Sequence, residues 1–184
     1  MDDDTMMNAA SSQLLLIDIQ ERLAPAVLDG GRIAERAGLL LDAAALLDVP
    51  HTVSEQYPRG LGPTVAAVLE KADPARVFDK VHFSCQADDR LAAALAGAGR
   101  PEAILCGMEA HVCVLQTALE MAEAGYRVHV VADAVASRTA QNRDLAVERM
   151  RAAGVGIVST EMVLFEWLRT AGHPDFRAVS ALIR

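Results

Sequence analysis

The chain has 184 residues, of which 52% are hydrophobic and 23% are charged, and this balance is typical of one soluble domain. Its formal net charge of −8 argues against nucleic acid as a partner, because phosphate binding requires a basic surface. The apolar runs are far shorter than a membrane span, and no basic amphipathic helix suits a membrane surface, so we also expect no membrane partner.

The cysteines and the N-terminal residues indicate a cellular compartment. Cys85, Cys106 and Cys113 are odd in number and lack metal-type pairing, which argues against a disulfide framework. The opening segment MDDDTMMNAASSQ is acidic where a signal peptide would be basic. We therefore predict a cytoplasmic protein with a flexible acidic arm over residues 1–12 and a single domain over residues 13–184.

Strand and helix patterns alternate along the whole chain. Short apolar runs bounded by turn residues predict strands, and apolar residues at a spacing of about 3.6 predict helices. The alternation predicts an α/β fold, a three-layer α/β/α domain with a mostly parallel, doubly wound sheet. In chain order, we expect a strand over 13–19, a helix over 32–47, a strand over 51–54, a loop over 55–63, a helix over 64–71, a strand over 75–78, a helix over 88–98, a strand over 102–106, a helix over 111–124, a strand over 127–132, a helix over 140–153, a strand over 156–159 and a helix from 161 to about 170.

Three reactive side chains follow predicted strands. Asp18 ends the first strand, Lys80 follows ARVF, and Cys113 follows AILC and the turn GMEA. In an open parallel sheet, ligands bind beyond the carboxyl ends of the strands. The pattern therefore predicts that an acid, a cation and a nucleophile share one edge of the sheet.

Cys113 is the sharpest candidate, because it opens a predicted helix. The unpaired N–H groups of a first helical turn lower the pKa of a thiol and can bind an oxyanion. The alternative is that Cys113 is a small buried hydrophobe. Cys106 lies inside a strand and is expected in the core, whereas Cys85 is expected at a loop or sheet edge without a role.

The other candidates have alternatives as well. Asp18 is either a general base or a loop cap, and Lys80 alone would be a solvated surface lysine. His82 and His111 lie near the same edge, so a Cys–His pair is a weaker alternative. The H-x-x-H and C-x-x-C spacings and the common nucleotide motifs are absent, so we expect no metal and no cofactor.

Several segments resemble the isochorismatase-like cysteine hydrolases. These are LLLIDIQERL, FDKVHFS, CGMEAHVCV, VVADAVASRT and GVGIVSTEMVLFEWL, which occur in this order over about residues 13–170. The segment HTVSEQYPRGLGPTV is similar to the branch of isochorismatase-domain proteins rather than to the nicotinamidases, whose D-x-H…H metal site is missing here.

The resemblance implies a site, residue by residue. Asp18, Lys80 and Cys113 match the family's catalytic triad. It also implies a non-proline cis peptide at Met108-Glu109, which helps aim backbone N–H groups of the turn through Val112 and Cys113 at the oxyanion. The chemistry expected with a cysteine nucleophile is cleavage of an amide or ester bond of a small molecule.

The loop after the second strand and the nucleophile turn are expected to line the substrate pocket. Loop placement assigns this role to Glu55, Gln56 and Tyr57, and the turn adds His111, with Arg138 a lesser candidate. The apolar helix MVLFEWL and the family resemblance predict a homo-oligomer. The rival functions on the same fold are a non-catalytic binding or scaffold protein and a redox-responsive thiol protein.

Overall fold

The computed structural model describes residues 5–183, which form a six-stranded, wholly parallel sheet of order β3-β2-β1-β4-β5-β6. This confirms the predicted α/β fold. The strands are β1 (Ser12–Ile17), β2 (His51–Gln56), β3 (Val77–Lys80), β4 (Glu102–Met108), β5 (Arg127–Ala136) and β6 (Gly156–Val158).

Helices connect the strands and cover the sheet. They are α1 (Gly30–Leu46), α2 (Pro58–Leu61), α3 (Ala66–Leu69), α4 (Asp89–Gly97), α5 (Leu115–Glu123), α6 (Ala140–Ala152), α7 (Thr160–Leu168) and α8 (Phe176–Ala181). Short 3-10 turns lie at Ala24–Ala26 and Pro74–Arg76, and one π-helical turn lies at Ala110–Val114. Within residues 5–183 no helix is long and apolar enough to cross a lipid bilayer.

The sheet separates two apolar cores, which explains why its central strands are apolar without alternation. On β1, Leu14 and Leu16 pack into one core, and Leu15 and Ile17 pack into the other. Helices α1, α7 and α8 contribute to the first core, and α4, α5 and α6 contribute to the second. A strand covered on both faces needs apolar side chains in both directions, as the run LLLI has.

The strand order creates a crevice between β1 and β4. The chain runs outward from β1 to β2 and β3, and then returns to place β4 on the other side of β1. At such a switch point the connections leave the sheet in opposite directions and open a crevice at the carboxyl ends. Residues that follow β1 and β4 therefore face a common space.

Several predicted bounds shift, each for a local reason. The third strand is displaced from 75–78 to Val77–Lys80, because Pro74–Arg76 forms a 3-10 turn capped by Asp73. The predicted loop over 55–63 instead extends β2 to Gln56 and then forms the helical turn α2. Strand β5 continues four residues beyond 132, to Ala136, and α8 has no counterpart in the prediction.

The N-terminal arm is ordered where the structure describes it. Residues 1–4 lie outside the described residues, but Met7 is fully buried in the first core. The Met7 amide donates to Glu166 Oε2 at 2.7 Å, and the Asn8 amide donates to Glu102 Oε2 at 2.9 Å. From Met7 onward, the segment predicted as a flexible arm is therefore fastened to the domain by one apolar side chain and two carboxylate acceptors.

Glu102 is the acceptor that holds this end of the sheet together. Its buried carboxylate accepts from Ser12 Oγ at 2.5 Å and from Asn8, and it pairs with Arg127 at 2.6 Å. Burial alone would raise the pKa of Glu102, but hydrogen bonds from His129, Ser12 and Asn8 and the charge of Arg127 lower the pKa to about 2. The ionised form is thus the one that the fold stabilises.

We expect Glu102→Gln to reduce the free energy of unfolding at neutral pH by about 2–3 kcal/mol. Because the folded pKa is depressed, the stability from Glu102 is present above its unfolded value of 4.5 and is lost as pH falls toward about 2. Denaturant unfolding across this pH range measures the effect, with Glu148→Gln on the exposed face of α6 as the matched control. Parallel pH curves for the wild type and Glu102→Gln would contradict it.

Candidate active site

Asp18 is the first residue after β1 and is completely buried. Its backbone lies in the left-handed region, with φ 54°, and its amide donates to the Ser54 carbonyl of the neighbouring strand at 3.1 Å. The left-handed turn ends β1, and the carboxylate is enclosed without contact to bulk water. A buried carboxylate has to find partners inside the protein.

The first partner is Lys80, the last residue of β3. The Nζ atom of Lys80 lies 2.7 Å from Asp18 Oδ2, and both side chains are fully buried. Lys80 Nζ also donates to Gln56 Oε1 at 2.7 Å, across the register pair that joins β2 and β3. Burial by itself would lower the pKa of Lys80, but the charge of Asp18, the neighbouring Cys85 and Cys113 and the hydrogen bond to Asp18 together raise the pKa, so the ammonium form of Lys80 is favoured.

The second partner is Ser54 of β2. Its hydroxyl donates to Asp18 Oδ1 at 2.6 Å, and Ser54 pairs in register with Ile17, the residue before Asp18. Strand β2 lies between the strands that carry the acid and the lysine. It therefore supplies a donor to Asp18 and, through Gln56, an acceptor to Lys80.

The third partner is Cys113, which sits in the π-helical turn between β4 and α5. The residue is 5% exposed, and the Asp18 carboxylate is close enough to its thiol to raise the pKa of the thiol. The structure thus brings Asp18, Lys80 and Cys113 together at one edge of the sheet. The Asp18 carboxylate is therefore the group placed to receive the thiol proton.

The acidity of Cys113 differs from the sequence prediction. Helix-terminus placement predicted a lowered pKa, but burial and the negative charge of Asp18 raise the pKa of the Cys113 thiol, and the charge of Lys80 offsets only part of this. Burial and a neighbouring carboxylate are together a stronger influence than the partial charge of one helical turn. The form of Cys113 that this environment favours is therefore the protonated thiol.

The turn that leads to Cys113 has the backbone geometry that the resemblance implied. The Met108-Glu109 peptide bond is cis, and Met108 is buried at the end of β4. The Val112 amide donates to the Glu109 carbonyl at 3.0 Å, so this predicted oxyanion donor already has a partner. The buried carboxylate of Glu109 holds Arg138, whose Nε lies 3.1 Å from Oε2 and whose side chain is mostly exposed.

Two of the predicted pocket residues are bound to other parts of the protein. Glu55 Oε1 accepts from the Thr64 amide at 2.7 Å and from its hydroxyl at 2.8 Å. The Gln56 side chain bridges Lys80 to the Val81 carbonyl, to which its Nε2 donates at 2.9 Å. Glu55 thus fastens the loop, and Gln56 orients the lysine.

The other two predicted pocket residues are more accessible. His111 is half-buried, and its Nδ1 lies 2.9 Å from the Ser137 hydroxyl. Tyr57 is exposed directly after β2, beside the carbonyl of Lys80. His82 is exposed in the segment after β3. No hydrogen bond in the described part of the chain joins either histidine to Cys113.

No sequence pattern indicated the environment of Cys85. Expected at a loop or sheet edge, it is instead fully buried, and its pKa is raised to about 11, mainly by burial and then by the charge of Asp18. Its amide donates to Thr117 Oγ1 at 2.9 Å. Cys85 is thus a second buried thiol whose pKa depends on the charge of Asp18. Cys106 lies in the core, as predicted.

Metal ligation finds no support in the residues that the structure describes. Among residues 5–183, no group of three or more His, Cys, Asp or Glu side chains is arranged to hold an ion. In the region where nicotinamidases carry their metal site, this chain reads SEQYPRG, which contains no histidine. The charged groups of the site, Asp18 and Lys80, satisfy each other.

Comparison with known proteins identifies the family. The isochorismatase domain model matches residues 12–162, so the chain belongs to the isochorismatase family of hydrolases. It is 39% identical over 180 residues to the secreted isochorismatase effector Isc1 of Phytophthora sojae, covering 95% of this chain and 85% of that protein. It is 37% identical to isochorismatase domain-containing protein 2 of Danio rerio, covering 96% and 89%.

Solved structures agree with this assignment. The MAR1 ribonuclease structure from Caenorhabditis elegans matches with a TM-score of 0.91 and 37% identity, covering 97% of this chain and 92% of that one. YcaC from Escherichia coli matches with a TM-score of 0.87 at 22% identity, covering 98% and 97%. YcaC from Pseudomonas aeruginosa matches with a TM-score of 0.87 at 23% identity, covering 100% and 98%. The likeness to the two YcaC structures is one of fold.

We expect Asp18→Asn to lower the pKa of the Cys113 thiol. The substitution removes the negative charge that raises this pKa and leaves the Lys80 cation in place, so the shift is about one unit or more. Titration of the thiolate by ultraviolet absorbance measures it, with Cys113→Ala as the blank.

Because Asp18→Asn also leaves Lys80 without its counter-ion, circular dichroism has to establish that the variant is folded. Ser54→Ala, which removes one donor to Asp18 and keeps the carboxylate, is the matched control. A thiolate midpoint in Asp18→Asn at or above that of the wild type would contradict the arrangement.

Proposed function

We propose that the protein is a cysteine-dependent hydrolase that cleaves an amide or ester bond of a small molecule through a thioester. The observation that carries the proposal is the buried carboxylate of Asp18, which accepts from Lys80 at 2.7 Å and from Ser54 at 2.6 Å and lies close enough to the Cys113 thiol to raise its pKa. A nucleophile, its base and a cation in one contact group are what acyl transfer requires.

Attack begins with the thiol. Because the pKa of Cys113 is raised, the proton leaves as the bond forms and moves to the Asp18 carboxylate. The sulfur lone pair forms a bond to the carbonyl carbon, and the carbonyl π electrons move onto oxygen. Backbone N–H groups of the turn at Cys113 and the Lys80 cation stabilise that negative charge.

Collapse of the tetrahedral intermediate breaks the bond to the leaving group. The amine or alcohol departs with the proton that Asp18 holds, which leaves the thioester and an ionised Asp18. Asp18 then takes a proton from water, the hydroxide adds to the thioester carbon, and the C–S bond breaks. The Cys113 thiolate recovers its proton from Asp18, so one water is consumed and the residues return to their starting state.

Lys80 has a second role in this cycle, which is to set the charge of Asp18. Protonation of a buried carboxylate is favoured by burial and opposed by a neighbouring cation. The Lys80 ammonium group, 2.7 Å from Asp18 Oδ2, favours the carboxylate form, in which Asp18 accepts a proton during attack and again during hydrolysis of the thioester. Gln56 Oε1, at 2.7 Å from Lys80 Nζ, holds the ammonium group in this place.

The acrylamide bound in a fold neighbour is consistent with a reactive thiol. The P. aeruginosa YcaC structure is described as carrying covalent acrylamide, and acrylamide is an electrophile that thiolates attack. A second candidate function comes from the C. elegans structure, which is named a ribonuclease. Against RNA cleavage here stand the net charge of −8 and the neutralisation of buried Lys80 by Asp18.

We expect Cys113→Ala to abolish hydrolysis of any amide or ester substrate found in a screen of small molecules, a loss of several orders of magnitude. Because Cys113 packs in a small buried volume, the melting temperature should change little. Cys106→Ala, a buried cysteine outside the contact group, is the matched control.

The other outcomes of this screen separate the rival functions. Alkylation or oxidation of Cys113 without turnover would favour a redox-responsive thiol protein, and an inert thiol would favour a binding or scaffold protein. RNA cleavage that persists in Cys113→Ala would favour a ribonuclease that does not use this nucleophile. Each of these results would overturn the proposed hydrolase.

We also propose a homo-oligomer that associates through α7. Met162 and Phe165 on this helix are 46% and 44% exposed, and Met6 beside them is 48% exposed. Contiguous exposed apolar side chains mark interaction surfaces. The E. coli YcaC structure is described as an octamer, which supports self-association of this fold.

We expect Phe165→Glu to dissociate the oligomer, because it places a charge in the centre of this apolar surface. Light scattering at micromolar concentration measures the molar mass of the wild type and the variant. Leu145→Glu on α6, where the leucine is 55% exposed, is the matched control. A monomeric wild type, or equal masses for wild type and Phe165→Glu, would contradict the proposal.

A cytoplasmic location is likewise a proposal. Cys85, Cys106 and Cys113 are all free and buried, as is usual in a reducing compartment. The P. sojae relative is named as a secreted protein. Fractionation of the source cells with an antibody to this protein distinguishes the two locations.

A further inference from the structure

Three large apolar side chains stand exposed beside the buried catalytic group. Tyr57, Val81 and Phe83 are 55%, 70% and 51% exposed. They follow the carboxyl ends of β2 and β3, and we call them the apolar rim. Exposed apolar side chains gathered at the end of a parallel sheet mark a ligand site more often than a structural need.

Tyr57 is attached directly to the catalytic lysine. Its amide donates to the Lys80 carbonyl at 2.9 Å, and its own carbonyl accepts from the Gly60 amide at 2.8 Å. The backbone of Tyr57 lies at φ 38°, in the left-handed region that non-glycine residues rarely adopt. Such a conformation is unfavourable and persists where its surroundings enforce it, commonly at functional sites.

Gly60 leaves room for the tyrosine ring. A Cβ atom at this position would lie 2.6 Å from Cδ1 and 2.7 Å from Cε1 of Tyr57. These distances are well inside van der Waals contact, so the ring lies directly against the bare Cα of Gly60. The backbone of the other two rim residues is attached to the site. Gln56 Nε2 donates to the Val81 carbonyl, and Phe83 precedes the buried Cys85 by two residues.

The turn that carries Tyr57 is also fastened to the segment after Asp18. Gln20 Nε2 donates to the Gly62 carbonyl at 2.7 Å, and the Arg22 amide donates to the Leu61 carbonyl at 3.0 Å. The turn that carries Tyr57 is therefore tied to the segments that carry Lys80 and Asp18. A turn with a strained backbone that is anchored on two sides holds the Tyr57 ring in a preorganised position.

We infer that the apolar rim binds the acyl side of the substrate, and that this side is an uncharged group with an apolar, preferably aromatic, surface. The inference rests on the proposed function, since it names the substrate class of the same site. Asp18 and Lys80 neutralise each other and leave no net buried charge to bind an ionic substituent. The net charge of −8 further disfavours an anionic substrate.

The test compares thiol electrophiles that differ only in the group next to the carbonyl. Acrylamide, N-phenylacrylamide and acrylate are each incubated with the full chain, and the adduct on Cys113 is followed by intact mass and peptide mapping. The wild type is expected to react with N-phenylacrylamide faster than with acrylamide, relative to the same pair reacting with free cysteine, and to react slowest with acrylate.

Gly60→Ala tests the ring without removing it. The glycine lies in the helical turn α2, where alanine is well accommodated, so the added methyl group displaces mainly the Tyr57 ring. The preference for N-phenylacrylamide should fall about three- to tenfold, the size of one aromatic contact. The acrylamide rate should not change. Gly31→Ala in α1, whose added Cβ meets nothing within 4 Å, is the matched control.

A double-mutant cycle assigns the effect to the ring. Tyr57→Ala should lose the preference, Tyr57→Phe should keep it, and Gly60→Ala should have no further effect in the Tyr57→Ala background. Equal preference in the wild type and Tyr57→Ala would overturn the inference while the hydrolase proposal stands. So would a change in oligomeric state in Tyr57→Ala without a change in preference. Failure of Cys113 in the folded protein to react with any of the three reagents would overturn both proposals.

Discussion

The buried contact between Asp18 and Lys80 is the interaction on which the arrangement of the site depends. Removing a carboxylate and an ammonium group from water is costly, and their attraction repays the cost only if the remaining donors and acceptors are also satisfied. The Ser54 hydroxyl satisfies the second oxygen of the carboxylate, and Gln56 Oε1 accepts from the ammonium group. Breaking the pair would leave one uncompensated charge in the core, so the strands that carry it have to keep their register.

The same interaction gives Cys113 an unusual setting for a nucleophile. Most activated thiols are ionised by nearby cations. Here a carboxylate lies next to the thiol, and burial adds to its effect, so the thiol keeps its proton. A protonated thiol is less susceptible to oxidation than a thiolate, and in the proposed mechanism it reacts when a carbonyl group enters and the proton passes to Asp18. This favours the hydrolase over the redox-responsive protein.

The sequence was sufficient for the features that depend on local pattern. The continuous apolar run of β1 predicts a strand covered on both faces. The placement of Asp18, Lys80 and Cys113 after strands predicts that the three side chains share one edge of the sheet. Ser54 and Cys85 carried no such signal, because their roles depend on which strands are neighbours and on the register between them. The predicted direction of the Cys113 pKa shift was wrong for a related reason, because the direction depends on how close the thiol lies to the Asp18 carboxylate.

Backbone conformation at the strand ends points to the same crevice. Asp18 after β1 and Tyr57 after β2 have positive φ angles of 54° and 38°, and Gly107 near the end of β4 has a φ of 124°. These strands are neighbours in the sheet. A Cβ at Gly107 would lie 2.0 Å from the Ile17 carbonyl oxygen, so β4 approaches β1 as closely as a backbone can.

Positive φ angles on three adjacent strands are not required for a parallel sheet, in which connections ordinarily leave without strain. Positive φ angles also occur at Asp29, Asp48 and Arg169, so what sets Asp18, Tyr57 and Gly107 apart is their position at the carboxyl ends of three neighbouring strands. Such backbone strain is commonly found at functional sites, and here the amides of Asp18 and Tyr57 compensate for it by donating to carbonyls of the neighbouring strands.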